Sequence, residues 1–207
     1  MTFVFDKISP VYLTNRLENS FWSQKVSLSK GERLNVFAPS GSGKTSLFRL
    51  MIGERIKHTG SLSFEGNDLS KMNVEAMADY RSNIISFVSQ DLSLFENLSV
   101  KENLSLFDNG SFDLGRGIEE LMLRDNIDKK TSLLSQGEKQ RLAILRALNQ
   151  PHQILVLDEP FSHLDNELTK KAWDLIDMAC AHNKVGLILL SLEKADFGHW
   201  DSQISLS

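Results

Sequence analysis

Cysteine is nearly absent: Cys180 is the single one among 207 residues. An intrachain disulfide is therefore excluded, and beside Met178 and Ala179 the thiol reads as a small core hydrophobe in a reducing cytoplasm. Proline and glycine are sparse, at four and twelve residues, which excludes collagen-like and low-complexity chains. Long apolar runs are missing too. The longest, residues 185–190, falls far short of the ~20 residues a helix needs to cross a bilayer. Residues 1–7 carry no basic segment followed by an apolar stretch, so no secretory signal is expected. Charge of one sign is not concentrated anywhere, and the net charge is −4, so no nucleic-acid footprint is expected. Three Asn-x-Ser triplets begin at Asn97, Asn103 and Asn109. That glycosylation pattern is too short to outweigh the missing signal.

What remains, 41% hydrophobic and 24% charged residues, describes one ordinary globular domain. Short apolar runs alternate with helical periodicity, the pattern of an α/β fold with a parallel sheet. Residues 34–38, 84–88, 154–157 and 185–190 are expected as central strands buried on both faces. Residues 26–28 and 61–64 alternate apolar and polar side chains near turns and are expected in an antiparallel β layer. From about 92 to 133 no strong strand occurs and Asp108-Asn109-Gly110-Ser111 is turn-rich, so a small, mainly helical lobe is expected there.

Three stretches carry chemistry. The first, Ala38-Pro39-Ser40-Gly41-Ser42-Gly43-Lys44-Thr45-Ser46, runs off a strand into the helical segment 47–51. Gly41 and Gly43 permit a tight turn with N–H groups pointing inward, and the helix start adds its positive dipole end. A triphosphate suits such a nest, with Lys44 reaching the β- and γ-phosphates and the Thr45 hydroxyl on Mg²⁺. The second stretch is Ile154-Leu155-Val156-Leu157-Asp158-Glu159-Pro160. Two adjacent acids at a buried strand end call for a positive counterpart; Asp158 suits Mg²⁺ and Glu159 suits a general base that polarises water. The third, Leu134-Ser135-Gln136-Gly137-Glu138-Lys139-Gln140-Arg141, precedes an amphipathic helical run. Ser135 and Glu138 have capping-box spacing. A capping box leaves Gly137 unexplained, whereas a glycine at an exposed helix start makes a second anion site.

In this order the three stretches resemble the ATP-binding cassette (ABC) ATPases, a P-loop NTPase fold with a RecA-like parallel core. The resemblance places that core at about 1–91 and 134–207 and a helical subdomain at about 92–133. It implies an ATP site with Mg²⁺ formed by Ser40, Gly41, Ser42, Gly43, Lys44, Thr45 and Ser46, with Lys44, Gln90 and Glu159 catalytic and Thr45, Gln90 and Asp158 on the metal. Ser135, Gln136, Gly137 and Glu138 would contact the nucleotide of a second ABC ATPase subunit, identical or different, in a head-to-tail dimer. Ser162-His163-Leu164-Asp165 matches the loop that crosses between subunits, with Asp165 the position carried over. Residues 94–104 look like the segment that faces an integral membrane permease, although their Leu and Phe also suit a core. Tyr12, Phe21 and Trp22 are the candidates for stacking on adenine, or for packing.

The chain departs from the family pattern at Ala38 for glycine, at Gln136 and Glu138 in the signature, and at Leu192. The family has histidine at this last position, bridging the γ-phosphate and the attacking water, and Leu192 can do neither. The expectation is an ATP-binding subunit that hydrolyses ATP to drive a separate transmembrane partner, peripheral on the cytoplasmic membrane face. The alternative is a nucleotide-gated clamp with slow or no turnover. DNA-repair relatives are disfavoured, because Gln90 and Ser135 lie only 45 positions apart, with no heptads between them. One set of motifs also disfavours a tandem cassette. The compact lobe is similar to small stand-alone cassettes of the lipoprotein-release type.

Overall fold

The structure is a computed structural model in which residues 2–13, 20–107 and 112–206 are described. The turn expected at 108–111, with the triplet at Asn109, lies outside them. Among the described residues the strands and α-helices follow in order: β1 (Thr2–Pro10), β2 (Lys25–Ser29), β3 (Arg33–Phe37), α1 (Lys44–Met51), β4 (His58–Phe64), β5 (Asn67–Asp68), α2 (Val74–Asp79), β6 (Ile85–Val88), α3 (Val100–Leu104), α4 (Leu114–Glu120), α5 (Gln136–Asn149), β7 (Ile154–Asp158), α6 (Asn166–Asn183), β8 (Gly186–Ser191) and β9 (Ser202–Ser205).

A parallel sheet runs β6-β7-β8-β3-β9 and an antiparallel sheet runs β2-β1-β4-β5. Alternation along the central strands explains how one sheet serves two cores. Ile154 and Val156 of β7, with Ile188 and Leu190 of β8, face a cluster shared with α1 and the antiparallel layer. Leu155, Leu157, Leu187 and Leu189 face a second cluster shared with α5, α6 and the short helices α3 and α4. Both faces are thus covered, as parallel strands require. The one polar residue inside β3, Asn35, is buried and bonded: its amide donates to the Leu189 carbonyl (3.2 Å) and Ser191 Oγ (2.8 Å) and accepts from the Ala195 N–H (3.0 Å). The four expected strands are present within a residue or two at their ends, but only three are central: β6 lies at the edge of the sheet, paired with β7 alone. Cys180 is 2% exposed, inside the second cluster.

Parallel connection places the carboxyl ends of β3, β6, β7 and β8 together, and the chemistry-bearing loops leave from those ends.

Candidate functional site

The loop after β3 reaches α1 through Gly41 and Gly43, both left-handed, at φ 81° and 101°. Gly43 is fixed twice over, because a Cβ there would also meet Leu13 Cδ1 and Trp22 Cζ2 at 3.0 Å. Ala38 fits without strain. Its N–H donates to the Ser191 carbonyl (3.0 Å) and its carbonyl accepts from Lys44 Nζ (2.7 Å).

Lys44 is 5% exposed. Its ammonium donates to the Ala38 and Pro39 carbonyls (2.7 and 3.1 Å) and lies 3.5 Å from the Glu159 carboxylate. These partners hold a desolvated cation at the mouth of the loop. The two carbonyls are neutral acceptors, weaker for an ammonium than charged oxygens. Glu159 has a left-handed backbone, φ 49°, a rare setting for a side chain that long and one that clusters at functional sites. Its neighbour Asp158 ends β7 at 3% exposure. Burial, and then the charge of Glu159, push the Asp158 carboxyl up to about 6, with Lys44 opposing and Asp91 adding to the rise. A carboxylate so placed is short of positive charge, which suits a divalent cation.

Two adjoining clefts open here. One, of about 350 Å³, is lined by Tyr12, Ser40, Gly41, Gly43, Lys44, Thr45, Ser46, Gln90, Glu159 and Leu192. Thr45 and Gln90 also line the second, where Asp158, Asp91 and Ser89 meet Phe48, Phe87 and Arg49. The structure therefore brings together Ser40, Gly41, Gly43, Lys44, Thr45, Ser46, Gln90, Asp158 and Glu159. Ser42 sits beside them, its hydroxyl donating to the Pro39 carbonyl (2.7 Å). Leu192 stands in the wall of the Lys44 cleft, 49% exposed. Of the three aromatic candidates, Phe21 and Trp22 are buried at 0% and 3% and stacked edge-on with each other, so they pack. Tyr12 is 61% exposed, its hydroxyl against Ser46 Oγ.

Among the described residues lining the Lys44 cleft, none comes from Ser135, Gln136, Gly137 or Glu138. They open α5 elsewhere. Ser135 Oγ accepts from the Glu138 N–H (3.3 Å) and Glu138 Oε2 from the Ser135 N–H (2.7 Å), which completes the capping box. That N–H, first among its causes, holds the Glu138 carboxyl below the usual range. Gly137 has a reason of its own: a Cβ there would lie 2.9 Å from the His163 carbonyl oxygen. Asp165 caps α6, accepting from the Leu168 N–H (2.8 Å). Residues 94–104 are of mixed character. Val100 and Leu104 belong to the core, while Phe95 is 56% exposed and its backbone is gripped by Asn103 (3.0 Å to both N and O).

Sequence reasoning missed Asp91, Gln140 and Arg146. Ser89 and Ser93 donate to Asp91 (2.6 and 2.9 Å), and these bonds, led by Ser89, hold its carboxyl below the usual range. Gln140 donates to the Glu159 carbonyl (3.0 Å), and Arg146 to the carbonyls of Ser93 (2.7 Å) and Leu92 (3.2 Å). A signal existed for Gln140, because Ala143, Ile144 and Ala147 put it on the apolar face of α5, where a polar side chain needs partners.

The chain is similar to the sulfate/thiosulfate import ATP-binding protein CysA of Yersinia pestis, at 34% identity over 164 residues, 70% of this chain and 42% of that protein. It is also similar to the spermidine/putrescine import ATP-binding protein PotA of Protochlamydia amoebophila, at 31% over 195 residues, 90% of this chain and 49% of that protein. The chain thus spans about half the length, or less, of these relatives. Its fold matches a putative ABC transporter ATP-binding protein from Pyrococcus furiosus with a TM-score of 0.77 at 21% identity, covering 100% of this chain and 98% of that one. A bacterial ABC transporter cassette solved as a dimer gives a TM-score of 0.73 at 22% identity, over 93% of this chain and 88% of that one. The profile of the ABC transporter family matches residues 23–162. With the nest at residues 40–46, the acids at the end of β7 and the capped start of α5 each in place, the chain belongs to the ABC transporter family, in its ATP-binding part.

Proposed function

We propose that the chain binds ATP with Mg²⁺ and hydrolyses it between two cassettes, driving a separate integral membrane partner. The observation that carries this is the pairing of Lys44 with Glu159 at 3.5 Å across one cleft, beside a buried Asp158 raised to about 6. The backbone N–H groups of residues 40–46 would take the phosphates, and Lys44 would leave its two carbonyls for phosphate oxygens. Thr45, Asp158 and Gln90 would hold the metal, which neutralises charge on the phosphates. Once Lys44 turns to phosphate, the Glu159 carboxylate is released to accept a proton from the attacking water. Tyr12 is the remaining candidate for stacking on the adenine ring.

The start of α5 is exposed at Ser135 and Gln136 and does not line the chain's own Lys44 cleft, which supports its use on the nucleotide of a second subunit, with Asp165 at the crossing loop. Among the described residues, no helix is long and apolar enough to cross a membrane. The exposed Phe95 supports a docking role for residues 94–104, on a subunit lying at the cytoplasmic membrane face. The named relatives import chemically unrelated solutes, so the solute is expected to be set by the permease.

The test is steady-state ATP turnover with Mg²⁺ across protein concentrations. A rise steeper than linear, abolished by Lys44→Ala and by Glu159→Gln, is expected. Tight ATP binding with wild-type turnover no higher than the two variants would refute the motor and leave a clamp. Failure to co-purify with any integral membrane protein in gentle detergent would refute the membrane partner.

A further inference from the structure

We propose that Gln140 is a positioning residue that sets Glu159 and ties that setting to the start of α5. The inference deepens the proposed function and rests on its reading of Glu159 as general base. Three hydrogen bonds hold the left-handed Glu159 backbone: its N–H donates to the Leu190 carbonyl (3.0 Å), and its carbonyl accepts from Gln140 Nε2 (3.0 Å) and, at longer range within the turn, from the Ser162 N–H (3.4 Å). The first belongs to the neighbouring strand. The second comes from a side chain 2% exposed, on a different element.

The other contacts of Gln140 fix which way its amide faces. Nε2 also reaches Ser162 Oγ (3.3 Å), while Oε1 accepts from the His163 backbone N–H (3.0 Å) and meets His163 Nδ1 at 3.1 Å. A flipped amide would set its NH₂ against the His163 N–H and its oxygen against the Glu159 carbonyl. One side chain therefore grips the loop after β7 on both sides of its turn. The same helix begins at Ser135, and its Gly137 packs against the His163 carbonyl with no room for a Cβ. The helix start and the loop interlock at two points, so a shift of Ser135 onto a nucleotide reaches Glu159 through contacts that have no slack.

Gln140→Glu keeps the acceptor and loses the donor, whereas Gln140→Asn keeps both but falls one methylene short. Both are expected to lower kcat about tenfold or more, the effect of one lost bond of about 1.4 kcal/mol in the transition state, with KM for ATP within about twofold. Glu159→Gln is run alongside. If Glu159→Gln is inactive while both Gln140 variants keep wild-type kcat, the proposal is overturned and the general base stands. If Glu159→Gln is as active as wild type, the reading beneath it fails, and the proposal with it. A fall in kcat matched by weaker ATP binding, or loss of cooperative unfolding in both variants, also overturns it, because Gln140 would then be a packing brace.

Discussion

Replacing Asp158 with asparagine should make the nucleotide-free protein more stable at neutral pH while ending its activity. The Asp158 carboxyl moves from an ordinary 3.8 to about 6 on folding. At about 1.36 kcal/mol per pKa unit this makes its ionised form cost about 3 kcal/mol above pH 6. Asparagine removes that charge but brings a buried amide of the same size, and imperfect pairing of the amide returns about 1 kcal/mol. The net gain is about 2 kcal/mol, or roughly 4–8 °C for a domain of this size. Its sign reverses the usual rule for acids. The folded state binds the proton first as pH falls through about 6, and the unfolded chain follows near 3.8. Wild-type stability therefore falls as pH rises across that window, and the advantage of Asp158→Asn should vanish below about pH 4. Urea unfolding without nucleotide at pH 7.5, 5.5 and 4 measures both proteins. Adding ATP and Mg²⁺ at pH 7.5 should reverse their order, since only the wild type gains full binding stabilisation. A destabilised Asp158→Asn at pH 7.5, or a gain independent of pH, would refute the reasoning.

Leu192→His should raise kcat at least about tenfold, a modest part of what acid–base and positioning groups contribute, with ATP affinity unchanged by calorimetry. No change in kcat would mean that the wall at Leu192 does not face the γ-phosphate. Ser135→Asp keeps a good N-cap but removes the hydroxyl, so unfolding should shift by less than about 0.5 kcal/mol while concentration-dependent turnover falls. If turnover stays intact, Ser135 acts only as a cap.

Legibility followed range. The strands β7 and β8 announce themselves because every residue in an unbroken apolar run serves one of two cores. β9 (Ser202–Ser205) sits at the sheet edge with half-exposed residues, and a polar run there carries no periodic signal. The phosphate loop and the acids at 158–159 were readable because nest geometry and strand-end chemistry are local. Gly137 was not. Its glycine is required by His163, 26 positions away, and only the folded chain brings that carbonyl close. The left-handed Glu159 and the turned-back Lys44 likewise depend on partners from separate elements.

Arg146 extends the same reasoning to the far end of α5. Leu92 and Ser93, just after Gln90, are both left-handed at φ 60° and 47°, a setting that costs roughly 1–2 kcal/mol per residue. Arg146 caps both carbonyls (3.2 and 2.7 Å) from a buried position, and burial alone pulls its guanidinium below the usual range. A cation desolvated in this way repays its burial only through well-made hydrogen bonds, so the strained turn and the arginine hold each other in place. One 14-residue helix thus starts at the Ser135 cap, reaches Glu159 through Gln140 and reaches the turn beside Gln90 through Arg146. A straight helix transmits displacement along its axis with little bending. Movement at its exposed start is therefore expected to reach Glu159 and the turn after Gln90 together, which a pair of independent loops could not achieve.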